Sequence, residues 1–167
     1  MAPMKQALLT ASLLLISLLN ALAAEQQKID RILVVKSEHR LQLLKGGTVV
    51  RTYTVAIGRG GVAPKQQQGD HKTPERIYRI DRRKANSRFH RALRISYPND
   101  ADRERARQLG VDPGGDIMIH GIMNGFRWIG SMHRMFDWTD GCIAVTDEEI
   151  DEIWALVPDG TAVEIRH

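Results

Sequence analysis

The chain has 167 residues, with 24 Lys and Arg against 20 Asp and Glu, 43% hydrophobic residues and one cysteine. That length suits one domain burying its core without disulfide staples. The near-balanced charge excludes a dedicated nucleic-acid binder, and a single cysteine excludes an internal disulfide.

After Lys5 the chain runs almost uncharged through Leu13-Leu14-Leu15-Ile16 and Leu18-Leu19 to Ala21-Leu22-Ala23. A basic start, an apolar run too short for the roughly 20 residues of a spanning helix, and small residues at the end are the marks of a secretory signal peptide. We expect a signal peptide over residues 1–23, cleaved after Ala23, and an exported domain over residues 24–167. That domain would work in the periplasm or cell envelope without stable membrane insertion; a retained anchor is the alternative.

Segments 32–35, 41–44 and 49–57 are rich in β-branched and apolar residues and predict a three-stranded meander, with Gly46-Gly47 as a turn. Residues 58–73, with their glycines, Pro64 and Gln66-Gln67-Gln68, predict a long functional loop. Short strands are expected at about 76–80 and 92–96. Pro98-Asn99-Asp100 opens a surface helix through Leu109, capped by Asn99 or Asp100 and stopped by Gly110. Asp116 to Ile119 reads as a buried strand delivering His120 at its end. Thr146 and Glu149 form a capping box for a last helix, with Val145 and Ile150 as its hydrophobic staple and Ile150, Ile153, Trp154 and Val157 as its inner face. Thr161 to Ile165 is the final strand. Many short strands with two short helices predict a mainly β domain, either a sandwich or a partly closed barrel.

Charge is uneven along the mature chain. Arg79, Arg82, Arg83, Lys84, Arg88, Arg91 and Arg94 crowd one stretch, which suits either an acidic polymer's carboxylates or a solvated face. Asp147, Glu148, Glu149, Asp151 and Glu152 crowd another.

Cys142 is unpaired beside Gly141, in a polar turn before a helix. A thiol of ordinary pKa, about 8.5, is only a few per cent ionised near neutrality, so a nucleophilic role needs a base or a positive field. His120 at a strand end is the candidate base, with Gly121 leaving room for the backbone to turn toward the thiol. The N-terminus of the helix capped by Thr146 would add a small positive potential, and the Gly141-Cys142 peptide can offer an oxyanion hole. A metal site of His120, His133 and Cys142 lacks the close ligand pairs of most zinc sites, so neither metal nor cofactor is expected. His39, His90 and His167 read as surface residues.

Ile119-His120-Gly121 followed by Thr139-Asp140-Gly141-Cys142-Ile143 resembles the signature of the L,D-transpeptidase catalytic (YkuD) domain, in which a histidine precedes Ser/Thr-His-Gly-Cys. Tyr53-Thr54-Val55-Ala56-Ile57-Gly58 and Gly69-Asp70-His71-Lys72-Thr73-Pro74-Glu75 with Tyr78 resemble that family's upstream segments, so the resemblance spans about residues 30–166. It implies a β-sandwich-like domain acting on peptidoglycan stem peptides. Cys142 would attack an L-to-D peptide bond after the third-position diamino acid and form a thioester, resolved by a second stem peptide's amine or by water. His120 would move the protons, and the N–H groups of Gly141 and Cys142 would hold the oxyanion.

Three departures stand out. Asp140 occupies the place of the family's histidine, and Ala144 that of a common arginine or asparagine two residues after the cysteine. The His120-to-Cys142 stretch is also a few residues longer than usual. We expect that stretch to form a lid in which Arg134 or Arg127 binds a substrate carboxylate and His133 replaces the missing imidazole. Asp140 would hydrogen-bond structurally, and His71 would border the substrate. A wall-attached protein is a further possible partner, and a non-catalytic wall-binding module is the alternative to an enzyme.

Overall fold

The computed structural model describes residues 28–167, so the expected signal peptide over residues 1–23 lies outside the described residues. Among the described residues there are eight strands: β1 (Arg31–Val35), β2 (Arg40–Lys45), β3 (Thr48–Thr54), β4 (Arg76–Ser87), β5 (His90–Ile95), β6 (Met118–His120), β7 (Ile143–Ala144) and β8 (Ala162–Arg166). The same residues include two α-helices, α1 (Asp100–Leu109) and α2 (Asp147–Leu156), with 3-10 segments at Lys36–Glu38 and Arg127–Met135. The domain is mainly β, as its sequence predicts.

The strands follow the order β3-β2-β1-β8-β4-β5-β6-β7 in one open sheet. β1, β2 and β3 form the expected antiparallel meander. Gly46 and Gly47 turn β2 into β3 with φ of 54° and 81°, the doubly positive geometry that a two-residue hairpin favours. β8 lies between β1, to which it is parallel, and β4, to which it is antiparallel. The two ends of the sheet approach each other where Ala56 and Ala144 exchange backbone hydrogen bonds of 3.0 and 2.8 Å.

Two strand boundaries differ from expectation. β3 ends at Thr54 rather than Ile57, because Ala56 leaves β2 to bridge Ala144. β4 runs twelve residues, to Ser87, where a short strand was expected. Its first half pairs with β8 and its second with β5, so exposed basic positions stay extended through pairing rather than through apolar alternation.

The core holds Ile32, Val34, Leu41, Leu43, Leu93 and Ile119 together with Ile150 and Ile153 of α2. α2 begins as its sequence predicts: Thr146 accepts from the Glu149 N–H, and Glu149 accepts from the Thr146 N–H. Trp154 is only half-buried, under the guanidinium groups of Arg83 and Arg91 at 4.8 and 5.4 Å from its ring, so it borders the core rather than filling it. α1 is capped by Asn99, stopped by Gly110, and buries only Ala106.

The 58–73 loop is held by charged groups. Lys36 is fully buried, donates to the carbonyls of Ala63 and Thr73, and pairs with Glu75 at 2.9 Å. Burial alone would raise the Asp70 carboxyl. Hydrogen bonds from the Lys65 ammonium and from the backbone of Gln66, Gln67 and Lys72 win, and bring it down to about 2. The expected Gly-Asp-x-x-Thr-Pro segment thus folds as a knot against the strand that leads into the site.

Candidate active site

Cys142 and His120 are brought together by strand register. β6 and β7 are parallel, with Ile119 opposite Ile143 and His120 opposite Ala144. Two residues back from Ala144, Cys142 is therefore a diagonal neighbour of His120 on the same face, and both line one cavity of 520 Å³.

The His120 ring is buried, and its Nδ1 lies 2.7 Å from the Gly121 carbonyl. A carbonyl only accepts, so Nδ1 carries the proton and Nε2 is left with a lone pair. Burial, opposed by that hydrogen bond and reinforced by His133, lowers the imidazole to about 4, so the ring is neutral near pH 7. Phe89 stacks on it at 4.4 Å and Trp138 meets it edge-on at 5.7 Å, fixing its plane.

The thiol is poised differently from expectation. Burial raises its pKa most, a hydrogen bond from the Met118 backbone opposes this, and the charges of Asp140 and Asp116 add to the rise. At rest a neutral thiol and a neutral imidazole line the same cavity, so any nucleophilic use of the thiol would require its proton to move at the moment of attack.

The other expected site residues have partners of their own in the resting structure. The Gly141 N–H donates to Thr139 Oγ1 at 3.2 Å, and that hydroxyl donates to the Cys142 carbonyl at 2.7 Å. One donor of the expected oxyanion pair is therefore engaged. Gly121 is required by packing, since a Cβ there would lie 2.6 Å from Asp147 Oδ1, and not by a turn toward the thiol. Arg127 pairs with Glu148 and Arg134 with Glu149 and the Thr54 carbonyl, which turns both toward the start of α2 instead of the thiol. The lengthened segment that carries them does not line the thiol cavity. It forms a separate apolar groove of 380 Å³ with Phe126, Met132, Phe136 and His133. His133 is buried there, accepts from Trp138 Nε1 at Nδ1 over 3.4 Å, and is not among the residues lining the thiol cavity. It does not stand in for the missing imidazole beside the thiol.

Asp140 does hydrogen-bond structurally. Its Oδ1 lies 2.8 Å from His71 Nδ1 and 2.9 Å from the Arg59 guanidinium, on a rim where its side chain is 74% exposed. His71 adopts φ 54°, and its carbonyl accepts from the Gly60 N–H. Asp140→Asn removes a negative charge near the thiol and leaves Arg59 less neutralised. Both effects favour thiolate, so ultraviolet titration of Cys142 is expected to show ionisation at lower pH than in the parent chain. An unchanged or higher midpoint would refute that field effect.

Sequence reasoning missed Phe89 and Trp138 as walls of the histidine, and Lys84, Arg88 and Ala92 as lining of the thiol cavity. The basic run around Lys84 was its only signal for the latter. Among the described residues no three His, Cys, Asp or Glu side chains gather as ligands for a metal ion, and no helix is long and apolar enough to cross a membrane.

Comparison with known proteins places this geometry among relatives. Residues 29–165 match the family model of the L,D-transpeptidase catalytic domain, YkuD. The protein named "Putative L,D-transpeptidase YafK" of Escherichia coli strain K12 is 33% identical over 135 residues, which is 80% of this chain and 44% of that protein. The chain therefore spans less than half the length of this relative. Among solved structures, the helical cell shape determining protein Pgp2 of Campylobacter jejuni superposes with a TM-score of 0.62 at 23% identity, over 83% of this chain and 48% of that one. An L,D-transpeptidase fragment from Xylanimonas cellulosilytica superposes at 0.56 with 16% identity, over 83% and 61%. These two likenesses concern the fold.

Proposed function

The chain belongs to the L,D-transpeptidase catalytic domain family, and on that premise we propose that it is an envelope acyltransferase acting on peptidoglycan stem peptides through a thioester at Cys142. The observation carrying this reading is a neutral His120, its Nδ1 tied to Gly121, in one cavity with the thiol. In attack, Cys142 Sγ bonds to the carbonyl carbon of the L-to-D peptide bond and His120 Nε2 takes the thiol proton. The tetrahedral intermediate collapses, the C–N bond breaks, and the departing amine takes that proton from His120. An incoming amine then gives its proton to the same nitrogen, bonds to the carbonyl carbon and expels the sulfur, which takes that proton from His120 to restore the thiol. The Cys142 N–H serves the oxyanion, and the Gly141 N–H joins it on releasing Thr139 Oγ1.

Substrate of this kind lies outside the cytoplasm, in keeping with the exported chain that the sequence suggests. Water in place of the amine gives an L,D-carboxypeptidase on the same site, and a protein side-chain amine as acceptor gives a wall-attached protein as partner. A carbapenem is expected to add one covalent equivalent to the intact mass, and Cys142→Ala to add none. Purified sacculi treated with the chain and then digested show new crosslinks or trimmed stems by mass, separating transfer from hydrolysis. No adduct, together with Cys142→Ala sacculi identical to those treated with the parent chain, would leave a non-catalytic wall-binding module.

A further inference from the structure

Two cations, Lys84 and Arg88, line the thiol cavity. Lys84 pairs across β4–β5 with Ala92, and Ala92 pairs across β5–β6 with His120. One row thus runs Lys84, Ala92, His120, Ala144, with Lys84 and Ala144 at opposite ends. Lys84 and His120 stand two strand spacings apart, roughly 10 Å between backbones. Ala92 between them is too small to fill the interval, which makes it the floor of the cavity. Arg88 borders the same space, its guanidinium over the Phe89 ring at 5.8 Å, and that ring in turn stacks on His120.

Charge pairing separates these two cations from their neighbours. Arg83 pairs with Asp159, Arg91 with Asp151, and Arg94 with Asp81 and Asp116. Asp116 is the acidic residue lining the cavity, and Arg94 already neutralises it. Among the described residues neither Lys84 nor Arg88 has a carboxylate within ion-pair distance. The arginines carried by the lengthened segment, Arg127 and Arg134, are both taken up by glutamates.

We propose that Lys84 and Arg88 form the carboxylate clamp of the donor site, holding the side-chain carboxylate of the third-position diamino acid over Ala92 while its carbonyl meets Cys142. This rests on the peptidoglycan reading above. Specificity then comes from the opposite end of the row to Ala144, where the sequence had lost a cation. Lys84 lines the same cavity as His120 and Cys142, so an anion held there sits beside both the imidazole and the thiol. Arg88, steered by Phe89, closes the outer side.

Binding to the Cys142→Ala chain, measured by titration calorimetry, tests the clamp without chemistry. The probes are a tetrapeptide muropeptide with the third-residue side-chain carboxylate free, and the same muropeptide with that group amidated. The free acid is expected to bind about 10-fold tighter or more, the range of a charge-assisted hydrogen bond. Adding Lys84→Ala or Arg88→Ala lowers affinity for the acid and leaves that for the amide unchanged, which also shows that the variant is folded. Lys84→Arg retains most of the preference. Equal affinity of the Cys142→Ala chain for acid and amide, absence of binding, or an equal loss on both probes in the variants overturns the proposal. Failure of acyl transfer is read separately, from carbapenem labelling of the parent chain.

Discussion

His120→Ala is expected to slow acylation of Cys142 by about 10²–10⁴-fold, the usual contribution of a positioned general base, while the fold persists. The shape of the pH profile identifies the role better than the loss does. In the parent chain His120 accepts the thiol proton only while neutral, so the acid limb of the rate falls near the pH of its own protonation, about 4. Above that limb the rate is nearly flat through neutrality. In His120→Ala the plateau disappears, because attack then needs preformed thiolate. The rate rises about tenfold per pH unit until the thiol ionises, which burial places above the ordinary thiol range. Carbapenem acylation followed by mass across pH reads both profiles. A plateau that survives in His120→Ala would remove this histidine as the base.

Gly58→Ala is expected to cost about 1–3 kcal/mol of stability or more, with a large fall in acylation as well. A Cβ at Gly58 would lie 2.2 Å from the His71 carbonyl oxygen and 3.1 Å from the Gly141 Cα, and both are backbone atoms with little freedom to move away. Gly58 also donates its N–H to Thr73 Oγ1 at 3.0 Å, so displacement pulls on the knot around Lys36 and Asp70. Any relaxation pushes Gly141, which sits at φ 121° with its own Cβ direction blocked by the Lys72 carbonyl. Gly115→Ala is the control: nothing lies within 4 Å of a Cβ there, and its effect should stay within about 0.5 kcal/mol. Urea denaturation compares the two, and equal stabilities would refute the contact argument.

What could be read from the sequence was local. The capping box of Thr146 and Glu149, the Gly46-Gly47 hairpin and the meander depend on residues within a few positions of one another, and each appears as expected. That His120 and the thiol line one cavity was foreshadowed by a strand end and a Gly-Cys turn, each of which leaves a signature. Partners distant in the chain were not. Asp140 meets His71 across 69 positions, and Arg134 reaches back 80 positions to Thr54. An arginine in a polar stretch looks the same whether a substrate or a glutamate on the next helix neutralises it. The reach of β4 through its basic run was hidden for a related reason, since strand pairing held it extended and no alternation announced it.

The place of β8 bears on when the molecule can assemble. Among the described residues the last strand, β8, is inserted between β1 and β4 and joins the meander to β4 along the sheet, while the Ala56–Ala144 bridge ties the two far ends together. Until Ala162 to Arg166 are available, the growing chain holds two half-sheets with facing unpaired edges and no continuous interior. Completion of the sheet that frames the cavity of His120 and Cys142 therefore comes late, after every residue lining that cavity has been made.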